Sequence, residues 1–109
     1  MAWKSPYEIP MNVQVLKIIW DNGGQALTPE IAEKLGYNLK GRDNIQRACD
    51  NVNVSCRHLR EWNLLKKKVF DRHNYPQTLV TRWSLNPKQI EHVKKKLEKY
   101  YSDIQNNIA

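Results

Sequence analysis

Asn51, Asn53, Ser55 and Arg57 bring amide, hydroxyl and guanidinium groups into seven residues, with His58 and Arg60 close behind. Base edges in a major groove are read by these side-chain types, because amides and guanidinium forks match the donor and acceptor pattern displayed there. Arg57, Arg60, Lys66, Lys67, Lys68 and Arg72 supply cations at the density that phosphate contacts need. Each neutralised phosphate releases counterions and strengthens binding at low salt. His73 and Tyr75 stand beside Arg72 in a polar stretch between two alternating segments, where a loop tip could touch a backbone. The competing account is a solvated helix face held by pairs one turn apart, and a loop that is polar only because it is exposed.

Catalytic chemistry finds no such support. His58, His73 and His92 fall on a helix, a loop tip and a second helix, and no carboxylate or nucleophile is spaced to complete a triad. The four glycines form no phosphate loop, and no closely spaced His pair or Cys-x-x-Cys suggests a metal. The sequence therefore predicts no enzyme, no cofactor and no metal site. Cys49 and Cys56 are seven residues apart on one expected helix, about 10 Å along its axis and beyond disulfide reach. Both read as small core residues.

The 109 residues carry a net charge of +7, with 40% hydrophobic side chains, which suits one folded domain with a polyanionic partner. The charge is uneven. Residues 1–39 have a net charge of −1, residues 40–73 of +5 and residues 74–109 of +3. No apolar run approaches the roughly 20 residues of a membrane span, and no secretory signal opens the chain. The expectation is an intracellular protein, cytoplasmic or nucleoid-associated, with no membrane partner.

The elements that must position these residues are legible in the hydrophobic spacing. Val13, Leu16, Ile19 and Trp20 predict a helix from about Met11 to Asp21, stopped by Asn22-Gly23-Gly24. Ser5-Pro6-Tyr7-Glu8 has capping-box form before it, with Pro10 limiting any helix there. Thr28 as N-cap, Pro29 in the first turn and Gly36 as the stop predict a second, short helix with Ile31, Ala32 and Leu35 inward. Ile45, Cys49, Val52, Cys56 and Leu59, extended by Ala48 and Trp62, predict a third from about Asp43 to Trp62, closed by a left-handed Asn63. Low propensity around Asn51 to Ser55 leaves open a break near Asp50. Trp20, Trp62 and Trp83 all read as core. Leu64 to Phe70 and Thr78 to Leu85 then read as the strands of a hairpin, the second with Leu79, Thr81, Trp83 and Leu85 on one face.

Two stretches carry a resemblance. Leu27-Thr28-Pro29-Glu30-Ile31-Ala32-Glu33-Lys34-Leu35-Gly36 is similar to the first helix of a helix-turn-helix, and Leu59-Arg60-Glu61-Trp62-Asn63-Leu64-Leu65-Lys66-Lys67-Lys68 to the end of a recognition helix entering a wing. The chain from about residue 11 to 86 resembles the winged helix-turn-helix domains of MarR-type and ArsR-type transcriptional regulators. It departs from them in a longer segment between Gly36 and Leu59, enlarged by Tyr37 to about Arg47, and in Asn63 where the family usually has Gly. The resemblance implies a mostly α fold with a β-hairpin and a double-stranded DNA partner. A recognition helix would lie in the major groove and a basic wing on the backbone or minor groove. Two other readings stay open: a winged-helix module for an acidic protein, and RNA or left-handed duplex binding, to which Pro76 and Trp83 lend weight.

A last amphipathic helix is predicted from about Lys88 to Asn107, opened by Pro87, with Ile90, Val93, Leu97, Tyr101, Ile104 and Ile108 on one stripe. The preceding elements enclose a core without it. The chain is thus expected to divide into residues 1–86, a winged-helix domain, and residues 87–109, a helix whose near-heptad stripe pairs two copies into a homodimer. Folding back onto the first helix is the alternative.

Overall fold

A computed structural model describes residues 9–66, 69–71 and 80–101. Its order is α1 (Met11–Asp21), β1 (Gln25–Leu27), α2 (Thr28–Lys34), α3 (Arg42–Glu61), β2 (Val69–Asp71), β3 (Val80–Ser84), a 3-10 turn over Pro87–Gln89, and α4 (Ile90–Glu98). The chain is mostly helical with a small antiparallel sheet in the order β1-β3-β2, β3 lying at its centre.

Three helices stop by the same local device. In each, a residue with positive φ follows the last turn, and two backbone N–H groups return to carbonyls of that turn, satisfying groups the helix leaves open. Gly23 and Gly24 do this for α1, bonding Trp20 O and Ile19 O. Gly36, at φ 89°, and Tyr37 close α2 through Glu33 O and Ala32 O. Asn63, at φ 64°, and Leu64 close α3 through Arg60 O and Leu59 O, as the sequence predicts.

The start of α2 differs from expectation. The N-cap is Leu27, whose backbone N–H donates to Glu30 Oε1 at 2.8 Å, and Thr28 is the first helical residue. Its hydroxyl is turned into the core. Pairing of Gln25–Leu27 with β3 pulls residue 27 into extended backbone and moves the cap back by one. Nothing in three residues with two apolar side chains announces a strand, so β1 is visible only through its partner.

The long helix α3 is continuous, with no break at Asp50. Ala48, Cys49, Val52, Cys56 and Leu59 are all buried along it, and this packing outweighs the weak intrinsic propensity of its middle. The enlarged segment before it is a loop from Gly36 to Gly41, where Asn38 Oδ1 accepts from Lys40 N and Tyr37 and Leu39 lean on the core. Cys49 and Cys56 are free and buried, in agreement with the core reading. Burial pushes both thiols above the ordinary value, Cys56 strongly, and at Cys49 the neighbouring Asp50 carboxylate adds to it.

The C-terminal helix is the main correction. Val93 and Leu97 have no exposed surface within a single chain, and Ile90 and Tyr101 pack partly against the same core. They are therefore not an open seam for a second copy, and α4 shares one core with the preceding elements. The cause lies in α1, whose buried Val13, Val15, Leu16, Ile19 and Trp20 span an arc of roughly 160°. An arc that wide takes two partners, and both α3 and α4 pack on α1. The helix also ends at Glu98, where Leu97 O receives the N–H groups of Tyr100 and Tyr101. Ile104 and Ile108 lie outside the described residues, as does the Ser5 to Glu8 segment.

Candidate nucleic-acid interface

Helical geometry divides the surface of α3. Val54 is roughly 180° from the middle of the buried stripe formed by Ala48, Cys49, Val52, Cys56 and Leu59. Arg47, Asp50, Asn51, Arg57, His58 and Glu61 surround it within about two turns, and every one of them is exposed. Arg60 is exposed nearer the edge of the same helix. Asn51, Arg57 and His58 thus share the exposed face around Val54, while Arg60 lies about 120° from it, exposed at the margin.

Asn53 and Ser55 do not. They lie about 100° to either side of Val54, at the boundary between the exposed and packed faces. Ser55 is buried at 8% exposure. Asn53 is half-buried, and its Oδ1 accepts from Trp83 Nε1 at 3.2 Å and from Thr28 Oγ1 at 2.9 Å. The indole N–H also reaches Thr28 Oγ1 at 3.1 Å, while that hydroxyl lies 3.2 Å from Thr81 O. A polar knot therefore pins α3 to α2 and β3. Reading adenine would need both Oδ1 and Nδ2 of Asn53 to be available, and Oδ1 is committed inside the protein. Asn53 holds the helix in place and is removed from the base-reading set, together with Ser55.

Sequence reasoning misses Arg47 and Val54 as site residues. A signal for them exists, since positions 47, 54 and 58 share one face at spacings of seven and four. Asp50 and Glu61 interrupt the cations of this face. Gln46 Nε2 donates to Asp50 Oδ1 at 3.1 Å, and His58 Nδ1 lies 3.7 Å from Glu61 Oε2, a pair that gains charge only when the imidazole is protonated.

Beyond α3 the chain is held tightly. Asn86 Nδ2 donates to Asn63 O at 3.0 Å, Asn86 N to Leu64 O at 2.9 Å, and Leu65 bridges to Leu85. Lys66 follows directly, its N–H bonded to Ser84 O and its side chain exposed at the root of the hairpin. Lys67, Lys68, Arg72, His73 and Tyr75 lie outside the described residues, as do Leu79 and Pro76.

Trp62 reverses its expectation. It is 51% exposed rather than core, because it caps α3 just as the chain turns away at Asn63. Lys96 Nζ sits 5.2 Å from its ring centroid and the His58 ring lies 6.4 Å away, tilted by 38°, so a cation and a second ring flank an indole that water also reaches.

No family model, curated protein or solved structure matches the chain. Among the described residues, no helix is long and apolar enough to cross a membrane. No group of three or more His, Cys, Asp and Glu side chains among them is gathered to hold a metal ion.

Proposed function

We propose that this chain is a sequence-specific double-stranded DNA-binding protein of winged-helix form, acting as a small transcriptional regulator. Helix α3 enters the major groove with Arg47, Asn51, Arg57 and His58 toward the base edges. Arg60, Lys66 and the hairpin carrying Lys67, Lys68, Arg72, His73 and Tyr75 lie along the backbone or the neighbouring minor groove. The observation that carries the reading is the free face of α3. A 20-residue helix is fixed through its opposite side by an apolar stripe and the Thr28-Asn53-Trp83 knot, and offers guanidinium, amide and imidazole groups outward. The order helix, strand, two helices, hairpin, with β3 between β1 and β2, supports the winged form.

The test is a fluorescence titration of a labelled random duplex at two salt concentrations, followed by selection from a random pool. If four phosphates are engaged, affinity falls roughly 100-fold between 50 and 200 mM salt. Selection then enriches one motif. A chain that leaves the duplex unbound at low salt refutes the proposal.

A further inference from the structure

Val54 occupies the centre of the face assigned to DNA, and its side chain is apolar. Among the described residues three large hydrophobic side chains are exposed: Met11 at 42%, Val54 at 44% and Trp62 at 51%. Met11 opens α1, and Trp62 lies under Lys96. Val54 instead sits in mid-helix, away from the core, among charged and polar neighbours. Folding gives no reason for valine here, since a branched Cβ lowers helix propensity and its methyls gain nothing from water.

Base chemistry does give one. The edges of the four bases in the major groove carry donors and acceptors, and a single apolar group, the C5-methyl of thymine. A helix that presents polar side chains on every side of one branched aliphatic residue matches an edge where one methyl lies among hydrogen-bonding groups. Asn51 is one turn before Val54, and Arg57 and His58 are one turn after it. These residues can engage the flanking donors and acceptors while the valine covers the methyl.

We infer that Val54 is the specificity residue for a thymine in the recognised site, its methyl groups packing on the C5-methyl. This inference rests on the DNA-binding reading above.

The experiment starts from the duplex motif enriched by selection and replaces each thymine in turn by uracil, which removes only the methyl group. Wild-type protein should lose about four-fold in affinity at one thymine of the site, the equivalent of about one buried methyl, and change little at the others. Val54→Ser should bind thymine and uracil forms of that position alike, at the affinity wild type shows for uracil. Val54→Ala serves as a second variant with a smaller apolar contact, and should give an intermediate ratio. Circular dichroism and the urea midpoint of each variant establish that it is folded, as an exposed position allows.

Wild type binding every uracil duplex as tightly as the parent overturns the inference while leaving the DNA-binding reading intact. A Val54→Ser protein that keeps the full thymine preference overturns it as well. Failure of any duplex to bind or be enriched brings down the DNA-binding reading, and this inference with it.

Discussion

Replacing Thr28 by Val and Asn53 by Ala, separately and together, should cost much more in combination than the two single changes suggest. The indole N–H of the buried Trp83 has two acceptors within reach, Thr28 Oγ1 at 3.1 Å and Asn53 Oδ1 at 3.2 Å. In Asn53→Ala the N–H keeps the threonine oxygen, and the threonine proton is free to engage Thr81 O. No buried group is stranded, so the loss is about 0.5–1.5 kcal/mol, offset in part by the better helix propensity of alanine. In Thr28→Val the N–H keeps Asn53, and a loss of about 1 kcal/mol is expected. The double variant leaves a buried donor with neither acceptor and incurs a further penalty of about 1–3 kcal/mol. Urea unfolding of the four proteins, followed by circular dichroism, gives the coupling directly, and the cycle cancels the propensity term because it occurs on both arms. Free energies that add to within about 0.5 kcal/mol would show that the two acceptors do not substitute for one another, and would refute the reasoning.

Leu97→Ala should destabilise the chain by about 2–5 kcal/mol, seen as a lowered urea midpoint in a monomeric sample, because its side chain has no exposed surface within one chain. An unchanged midpoint would mean that α4 is not part of the core. On the selected DNA site, Asn51→Ala and Arg57→Ala should each weaken binding by about 1–3 kcal/mol and affect random duplex much less. Ser55→Ala should leave both affinities where they were, since Ser55 is buried at the margin of the exposed face of α3; equal losses from Ser55 and Arg57 would contradict the proposed assignment of faces. Burial raises the Cys56 thiol far above its ordinary value of 9.0, so folding keeps a proton that the unfolded chain releases. The stabilising contribution is complete below pH 9 and declines as the pH rises above it, and Cys56→Ala should flatten that alkaline decline in urea midpoints.

Much of this arrangement is legible in residue spacing. The arc from Ile45 to Leu59 predicts α3 and its inner face, Asn63 its stop, and the alternation of Thr81, Trp83 and Leu85 the buried side of β3. What spacing cannot decide is the fate of residues at the edge of an arc. Asn53 and Ser55 are polar and lie about 100° from the outermost residue, so their burial depends on what packs beside them. For Asn53 that is α2 and β3, which approach from distant parts of the chain through Thr28 and Trp83. Trp62 keeps the apolar rhythm but falls at the point where the backbone leaves the helix, and rhythm says nothing about that change of direction. The docking of α4 is less legible: Val15 is also buried, which widens the α1 arc beyond the stripe of Val13, Leu16, Ile19 and Trp20, and α4 packs on that helix together with α3.

The central place of β3 in the sheet also determines how this chain can be divided. Gln25 pairs with Ser84, Ala26 with Trp83 and Leu27 with Arg82, and Gly24 O receives the N–H of Leu85. The strand at the entrance to α2 is therefore completed by residues nearly sixty positions later. A truncated chain ending before Val80 would retain α1, α2 and α3, yet leave β1 as an unpaired edge and strip Trp83 from among the helices. Such a fragment keeps the whole of α3 and no closed structure around it. That helix and the strand that locks it are thus inherited together, and a transplant of α1 to α3 onto another scaffold would need an equivalent of β3 to go with them.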